Sequence, residues 1–274
     1  MDASAERIIM KIIDTHCHIY PDKIAQKASN ATGSFYGLPP SLDGTVATLL
    51  EKGKKAGIDR YVVNSVATTP AQVHSINTFI AATVAAGGGI FTGMGTLHPD
   101  SDDLERDVSE ILKLGLKGIK LHPDIQRFKT DDKRAMDIFA LAEMNHLPVC
   151  VHTGDYRYDY SNPNRIKPVL EAFPDLLMIG AHFGGWSMWE DASHEYAKYD
   201  NIIVDCSSSL YSMTPDKAKE LIRLYGASRV MFGTDYPLWD PIDEIERFMK
   251  IDLTEEEKEK ILYKNASELF GISF

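Results

Sequence analysis

Nine histidines occur in this chain, and they are not scattered. His16, His18, His122, His152 and His182 each stand at or just past the end of a short apolar run rich in Ile, Val, Leu or Met. Asp235 holds the same place after the last run, in Gly233-Thr234-Asp235-Tyr236-Pro237. His98 follows its run at one more step, while His74, His146 and His194 fall inside helical patterns. The sharpest chemistry lies in Asp14-Thr15-His16-Cys17-His18. On a strand, residues i and i+2 point to one side, about 6–7 Å apart along the chain. Two imidazoles so placed can lean onto one ion with metal–nitrogen distances of about 2.0–2.1 Å. The same alternation turns Cys17 away, which removes its thiolate from the donor set. Taken singly, each of these residues reads as a hydrogen-bonded group at a strand end, and Asp235 as a helix cap. Taken together, imidazoles and a carboxylate gathered at one place point to a bound cation.

The elements that would gather them recur regularly. The apolar runs cover residues 8–14, 60–64, 90–95, 118–121, 148–151, 177–181, 202–205 and 230–233. They are short and continuous, as strands buried on both faces of a parallel sheet are. Helical patterns lie between them. Leu104, Val108, Ile111 and Leu112 fall on one helix face, after the acidic cap region of residues 99–103. Residues 133–145 and 216–225 read the same way, and Gly115 and Gly226 supply helix stops. Eight alternations of strand and helix predict a (β/α)8 barrel, whose C-terminal strand ends share one rim. The structural competitor, a doubly wound sheet, lacks its glycine-rich fingerprint after the first strand. Residues 254–271 read as an additional C-terminal helix with Thr254 and Glu257 as a capping box. Residues 19–40, with Gly33, Gly37, Pro39 and Pro40, read as a long loop that would act as a lid or binding loop. No composition break divides residues 1–274, which are expected to form one domain.

Composition excludes several classes. The 274 residues carry 29 basic and 40 acidic side chains, a net charge of −11, which argues against a nucleic-acid partner. No apolar stretch reaches the length of a membrane span. The first seven residues lack the pattern of a secretory signal, and Met10 offers an alternative start. Cys17, Cys150 and Cys206 form no CxxC pair, so they read as buried small hydrophobes in a reducing cytoplasm.

In order along the chain stand Ile13-Asp14-Thr15-His16-Cys17-His18, Gly118-Ile119-Lys120-Leu121-His122-Pro123, Val151-His152-Thr153-Gly154, Gly180-Ala181-His182-Phe183-Gly184-Gly185 and Phe232-Gly233-Thr234-Asp235-Tyr236-Pro237. This set resembles the amidohydrolase superfamily, metal-dependent hydrolases on a distorted (β/α)8 TIM barrel. Within it, the chain is most similar to the amidohydrolase 2 branch that includes aminocarboxymuconate-semialdehyde decarboxylase. The resemblance implies that His16, His18, His152 and Asp235 hold one divalent ion, expected to be zinc with manganese as the alternative. It assigns Asp235 a second role as proton acceptor, and gives His182 the task of orienting or deprotonating a metal-activated water. Three neutral imidazoles and one carboxylate leave such an ion a net positive charge, which lowers the pKa of its water toward roughly 7. Lys120 would bridge a second ion only if the chain followed the binuclear members. His122 is expected to face the pocket as a polar contact or to cap the rim. Arg127, Tyr156, Arg157 and Trp186, with Trp189, Tyr236 and Trp239, are the candidates for a substrate wall, arginine for a carboxylate and the aromatics as flat apolar surfaces. The leading expectation is hydrolysis of a small-molecule amide, ester or lactone. The alternative is nonoxidative decarboxylation of a small aromatic or unsaturated acid, and a non-catalytic metal-holding protein stands last. A small-molecule substrate is the expected partner, and a homodimer is left open.

Overall fold

The computed structural model describes residues 10–274. The alternative start at Met10 and the first residues of the expected opening strand therefore lie outside the described residues or at their edge.

Parallel strands carry the architecture: β1 Ile13–His18, β2 Arg60–Asn64, β3 Phe91–Gly93, β4 Gly95–Thr96, β5 Ile119–Leu121, β6 Val149–Val151, β7 Met178–Gly180, β8 Ile202–Asp205 and β9 Val230–Met231. They pair in sequence order, β1 to β3 in one sheet and β4 to β9 in the other. β3 and β4 are one run interrupted at Met94, where the chain turns from one sheet to the next. Met94 N–H donates back to Val63 O (2.9 Å), while Gly95 N–H donates forward to Gly118 O (2.9 Å). At the other seam, Thr15 N–H donates to Phe232 O (3.0 Å), Asp235 N–H to His16 O (2.9 Å) and His18 N–H to Tyr236 O (2.7 Å). The expected (β/α)8 barrel is thus the fold, with two irregular seams. The seam between β1 and residues 232–236 brings His16, His18 and Asp235 to one rim.

Two apolar layers hold it. Ile13, Val62, Met94, Cys150, Ile179 and Met231, contributed by six of the runs, fill the interior. Ala266 and Phe270 of the C-terminal helical segment pack in the same cluster. The larger layer lies between strands and surrounding helices and includes Cys17 and Cys206. The C-terminal segment begins with the expected capping box: Thr254 N–H donates to Glu257 Oε2 (2.9 Å) and Glu257 N–H to Thr254 Oγ1 (3.3 Å). A π turn, Lys260–Lys264, interrupts the helix. No helix of the described residues is long and apolar enough to cross a membrane.

Two expectations need correction. The first strand runs Ile13–His18 rather than over residues 8–14, and its register against β2 slips between Asp14 and Cys17. A bulge of this kind bends a strand and re-aims side chains, here at the two histidines. The expected loop at residues 19–40 is mostly a helix, α1, Asp22–Tyr36. Ala25, Ser29 and Gly33 recur every four residues and bury one face of it. The glycines and prolines that imply irregularity instead dock and end this helix. A Cβ on Gly33 would stand 2.4 Å from Leu38 O and 2.6 Å from Pro40 Cδ, and Gly37 closes the last turn at φ 68°.

Candidate metal centre

The C-terminal end of β1 presents His16 Nε2 and His18 Nε2 to one another at 3.2 Å. Asp235 Oδ1 stands 3.5 Å from the first and 3.4 Å from the second. Two donors about 2.1 Å from one ion, at angles between octahedral and tetrahedral, lie about 3.0–3.4 Å apart. The triangle of two imidazole nitrogens and one carboxylate oxygen therefore fits around a single divalent cation.

Neighbouring groups fix two of the three donors, His16 and Asp235. Asp205, the last residue of β8, takes His16 Nδ1–H on Oδ2 at 2.9 Å. That bond leaves the Nε2 lone pair facing the triangle, the usual carboxylate–histidine support of a metal ligand. Ser208 Oγ–H donates to Asp235 Oδ2 (2.5 Å), and Trp239 Nε1–H donates to Ser208 Oγ (2.7 Å). Asp14 Oδ2 accepts from Thr234 Oγ1–H (2.6 Å) and Oδ1 from Thr234 N–H (2.9 Å), which locks β1 beside the Asp235 turn. Gly233 permits this closeness: a Cβ there would stand 2.9 Å from His16 Cβ. Asp235, His182 and Ser208 adopt left-handed backbone with φ of 60°, 61° and 46°. Each such non-glycine position costs about 1–3 kcal/mol and persists only where its surroundings impose it.

Electrostatics favours the ligating forms. Burial pushes His18 down to about 4, against the opposing bond to Asp235. Burial also brings His182 to about 4 and holds His122 and His152 well below the usual imidazole range. Burial would raise the Asp235 and Asp205 carboxyls, but the charge and bonds of the surrounding histidines overcome it and hold both well below the usual carboxylate range. Neutral imidazoles and ionised carboxylates are the states that bind a cation.

His152 and His182 form a second tier. His182 Nδ1 lies 3.0 Å from Ser207 O, an acceptor, so Nδ1 carries the proton and Nε2 accepts from His152 Nδ1–H at 3.0 Å. His152 thus reaches the triangle through its neighbours: its shortest contact with this group is to His182. Lys120 Nζ, fully buried on β5, stands 3.0 Å from His16 Nε2 and 3.5 Å from Cys150 Sγ. On its other side His152 stacks on His122, ring centroids 4.0 Å apart and 6° from parallel, and its Nε2 lies 3.8 Å from Asp124 Oδ2. His122 Nδ1 accepts from Ile125 N–H (3.3 Å), so its proton is on Nε2 and donates to Tyr36 Oη at 2.6 Å. The Tyr36 hydroxyl proton is then free to point at His152 Nε2, 3.3 Å away, or at a ligand oxygen.

These groups open onto a cavity of about 720 Å³. His18, Lys120, His122, His152, His182 and Asp235 line one end, and α1 covers it. Arg127 lines it as expected, from a left-handed position at the rim (φ 61°). The other expected wall residues lie elsewhere. Tyr156 is 73% exposed and turned to solvent, its N–H held by Ser187 Oγ. Arg157 has its donors engaged: Nε and Nη2 on Asp155 (2.9 and 2.6 Å) and Nη1 on Phe35 O (2.8 Å). Its guanidinium lies over the rings of Phe35, Tyr36, Tyr158 and Trp186 at 5.0–5.4 Å, a cation–π clamp on the end of α1. Trp186 packs behind Tyr36 (4.9 Å). Trp189 donates to Ser209 Oγ (3.0 Å), and Tyr236 is buried with its hydroxyl on Thr45 O (2.7 Å). Asp205 is missed by the sequence reading although it carries the same signal as His152, a polar residue ending an apolar run. Tyr36 gives no such signal, because it arrives from a helix laid across the rim.

Comparison with known proteins agrees with this fold. The chain aligns along 96% of its length with a TIM-barrel protein from Bordetella bronchiseptica (24% identity, TM-score 0.79, 99% of that chain). It is similar over the same share to 5-carboxyvanillate decarboxylase from Sphingomonas paucimobilis (17% identity, TM-score 0.72, 100% of that chain). A dihydroxybenzoic acid decarboxylase from Polaromonas, solved with manganese and the inhibitor 2-nitroresorcinol, matches at 14% identity and TM-score 0.73, over 96% of this chain and 97% of that one. No curated protein matches. Residues 13–272 match the amidohydrolase family throughout, and the chain belongs to that family.

Proposed function

We propose that this protein is a metal-dependent, nonoxidative decarboxylase of a small aromatic acid. The observation that carries the reading is the charge of the cavity wall. In a chain with 40 acidic and 29 basic residues, the wall bears Lys27, Lys120 and Arg127 and a single carboxylate, Asp235. Such a wall attracts an anion. The decarboxylase names of the similar structures support the same choice over hydrolysis of an amide, ester or lactone, the leading expectation from the motifs.

In this reading His16, His18 and Asp235 would hold the ion, with His152 a further donor once its ring turns from His182, and manganese is preferred to zinc because a similar structure carries it. When bound, the ion would supply positive charge that attracts and orients the acid's oxygens. The carbon–carbon bond to the carboxyl group breaks, its electron pair stays on the ring carbon, and a proton adds there as CO₂ leaves. That proton comes from the substrate's own hydroxyl or from solvent, and His182 Nε2 and Asp235, neutral and ionised in the resting site, are the acceptors placed to take it up and pass it to the ring carbon. His182 is oriented for it by Ser207 O, and Asp235 by Ser208. Tyr36 and His122 offer a fixed donor to a ring hydroxyl. α1 keeps bulk water off the developing carbanion.

The test begins by stripping metal with a chelator and reloading with manganese or zinc. CO₂ release from hydroxybenzoic and carboxyvanillic acids is then measured beside a panel of amides, esters and lactones. CO₂ release that appears only in the reloaded protein is expected. Hydrolysis without CO₂ release reverses the choice of reaction, and full activity in metal-free protein rejects the metal.

A further inference from the structure

The cavity is larger than its reactive end. Beyond the histidines it runs between α1 and the helix Val73–Ala86. Ile24, Ala28, Ala31 and Phe35 of α1 face Ile76 and Phe79 of that helix across it. A benzoate ring with one or two hydroxyls fills a minor part of 720 Å³, a volume in the upper range of pockets that engulf drug-sized ligands, about 300–1,000 Å³. Ile24 is 50% exposed although it stands on this wall. Ala28 and Ala31 are small residues on the cavity side of a helix whose other face is packed. This row is apolar and continuous with the reactive end, with Lys27, Thr32, Thr68, Gln72 and Ser75 lining the same cavity beside it.

We propose that the substrate is an aromatic acid extended by an apolar arm of several carbons, and that this groove is the arm's binding site. The inference rests on the proposed reaction for the position of the carboxyl group, and on the groove alone for the arm. The reacting carboxyl stays among the histidines, and the arm lies along the row Ile24, Ala28, Ala31, opposite Ile76 and Phe79. Each buried methylene contributes through removal from water, which corresponds to about two- to fourfold in affinity.

Calorimetric titration of the manganese-loaded protein tests this, using hydroxybenzoic acids that carry unbranched alkyl chains of increasing length at the meta or para position. The dissociation constant is expected to fall about two- to fourfold per added methylene over the first several carbons. Ala31→Trp fills the groove from an exposed position and is expected to flatten the series. Ala28→Trp serves the same purpose one turn earlier if the first variant fails to fold. Equal affinity along the series, absence of binding at every length, or a slope that survives both tryptophans overturns the proposal. CO₂ release is recorded separately on the same wild-type samples. A length-dependent affinity without CO₂ release upholds the groove and rejects the reaction; CO₂ release with a flat series does the reverse.

Discussion

Asp205 shows how much one side chain without direct contact to an ion can matter. Its carboxylate holds His16 Nδ1–H and also accepts from His182 N–H and from the N–H and hydroxyl of Ser207. Replacing it by asparagine keeps the volume but allows an N–H to face His16 Nδ1, which favours the wrong tautomer. We expect Asp205→Asn to lower metal affinity about 10–100-fold, the usual consequence of losing such a support, while the protein stays folded. Competition with a calibrated chelator measures it, and unchanged affinity would exclude the tautomer argument for His16. The residues that residue type and spacing make legible are those whose chemistry is rare at a strand end: His16, His18, His182 and Asp235. Asp205 obeys the same rule but ends its run without a histidine partner in sequence. Tyr156 and Arg157 follow the right strand yet miss the cavity, because Asp155 captures the arginine and turns the loop outward.

Among the elements, α1 is where sequence patterning and structure part. The strands are legible because continuous apolar runs with polar ends have few other uses. α1 is not, because the small residues Ala25, Ser29 and Gly33 make its buried face look like loop composition, and only packing against Leu38 and Pro40 reveals their purpose. Its C-terminal end is held by Arg157, which bonds Phe35 O and stacks on four rings. A single cation–π contact contributes about 0.5–2 kcal/mol depending on exposure, so the clamp matters for local opening more than for global stability. Arg157→Ala is therefore expected to speed amide hydrogen exchange in residues 22–36 about tenfold, with a small change in Tm. Exchange as slow as in the wild type would mean that α1 is held by its packed face alone. Because Tyr36 is the last residue of this helix, the clamp also sets how firmly its hydroxyl meets His122.

At the scale of the whole molecule, the barrel joins its two ends by bonds between β1 and the segment 232–236, more than 200 residues apart, so stability and site geometry share one seam. Glu244 lies close behind that seam, in the helix Pro241–Met249, and it gives the fold a pH dependence of its own. Its carboxyl is fully buried, one oxygen pairs with Arg247, and the other, Oε2, has no hydrogen-bond partner among the described residues. Burial, reinforced by the charges of Asp235 and Asp14 and only partly offset by Arg247, raises it from 4.5 to about 7. The folded state then binds this proton more tightly than the unfolded chain does. Its contribution to stability is complete below pH 4.5 and is lost as pH rises through about 7. At roughly 1.4 kcal/mol per pH unit, the loss is on the order of 3 kcal/mol. General repulsion in a chain of net charge −11 grows in the same direction, so wild-type melting curves alone do not isolate the effect. Glu244→Gln does, because glutamine keeps the shape without the ionisation. Its Tm is expected to equal that of the wild type near pH 4.5 and to exceed it by several degrees at pH 8. Parallel curves for the two proteins across that range would show that Glu244 is ionised in the folded state at no cost, which its burial and its unpartnered oxygen argue against.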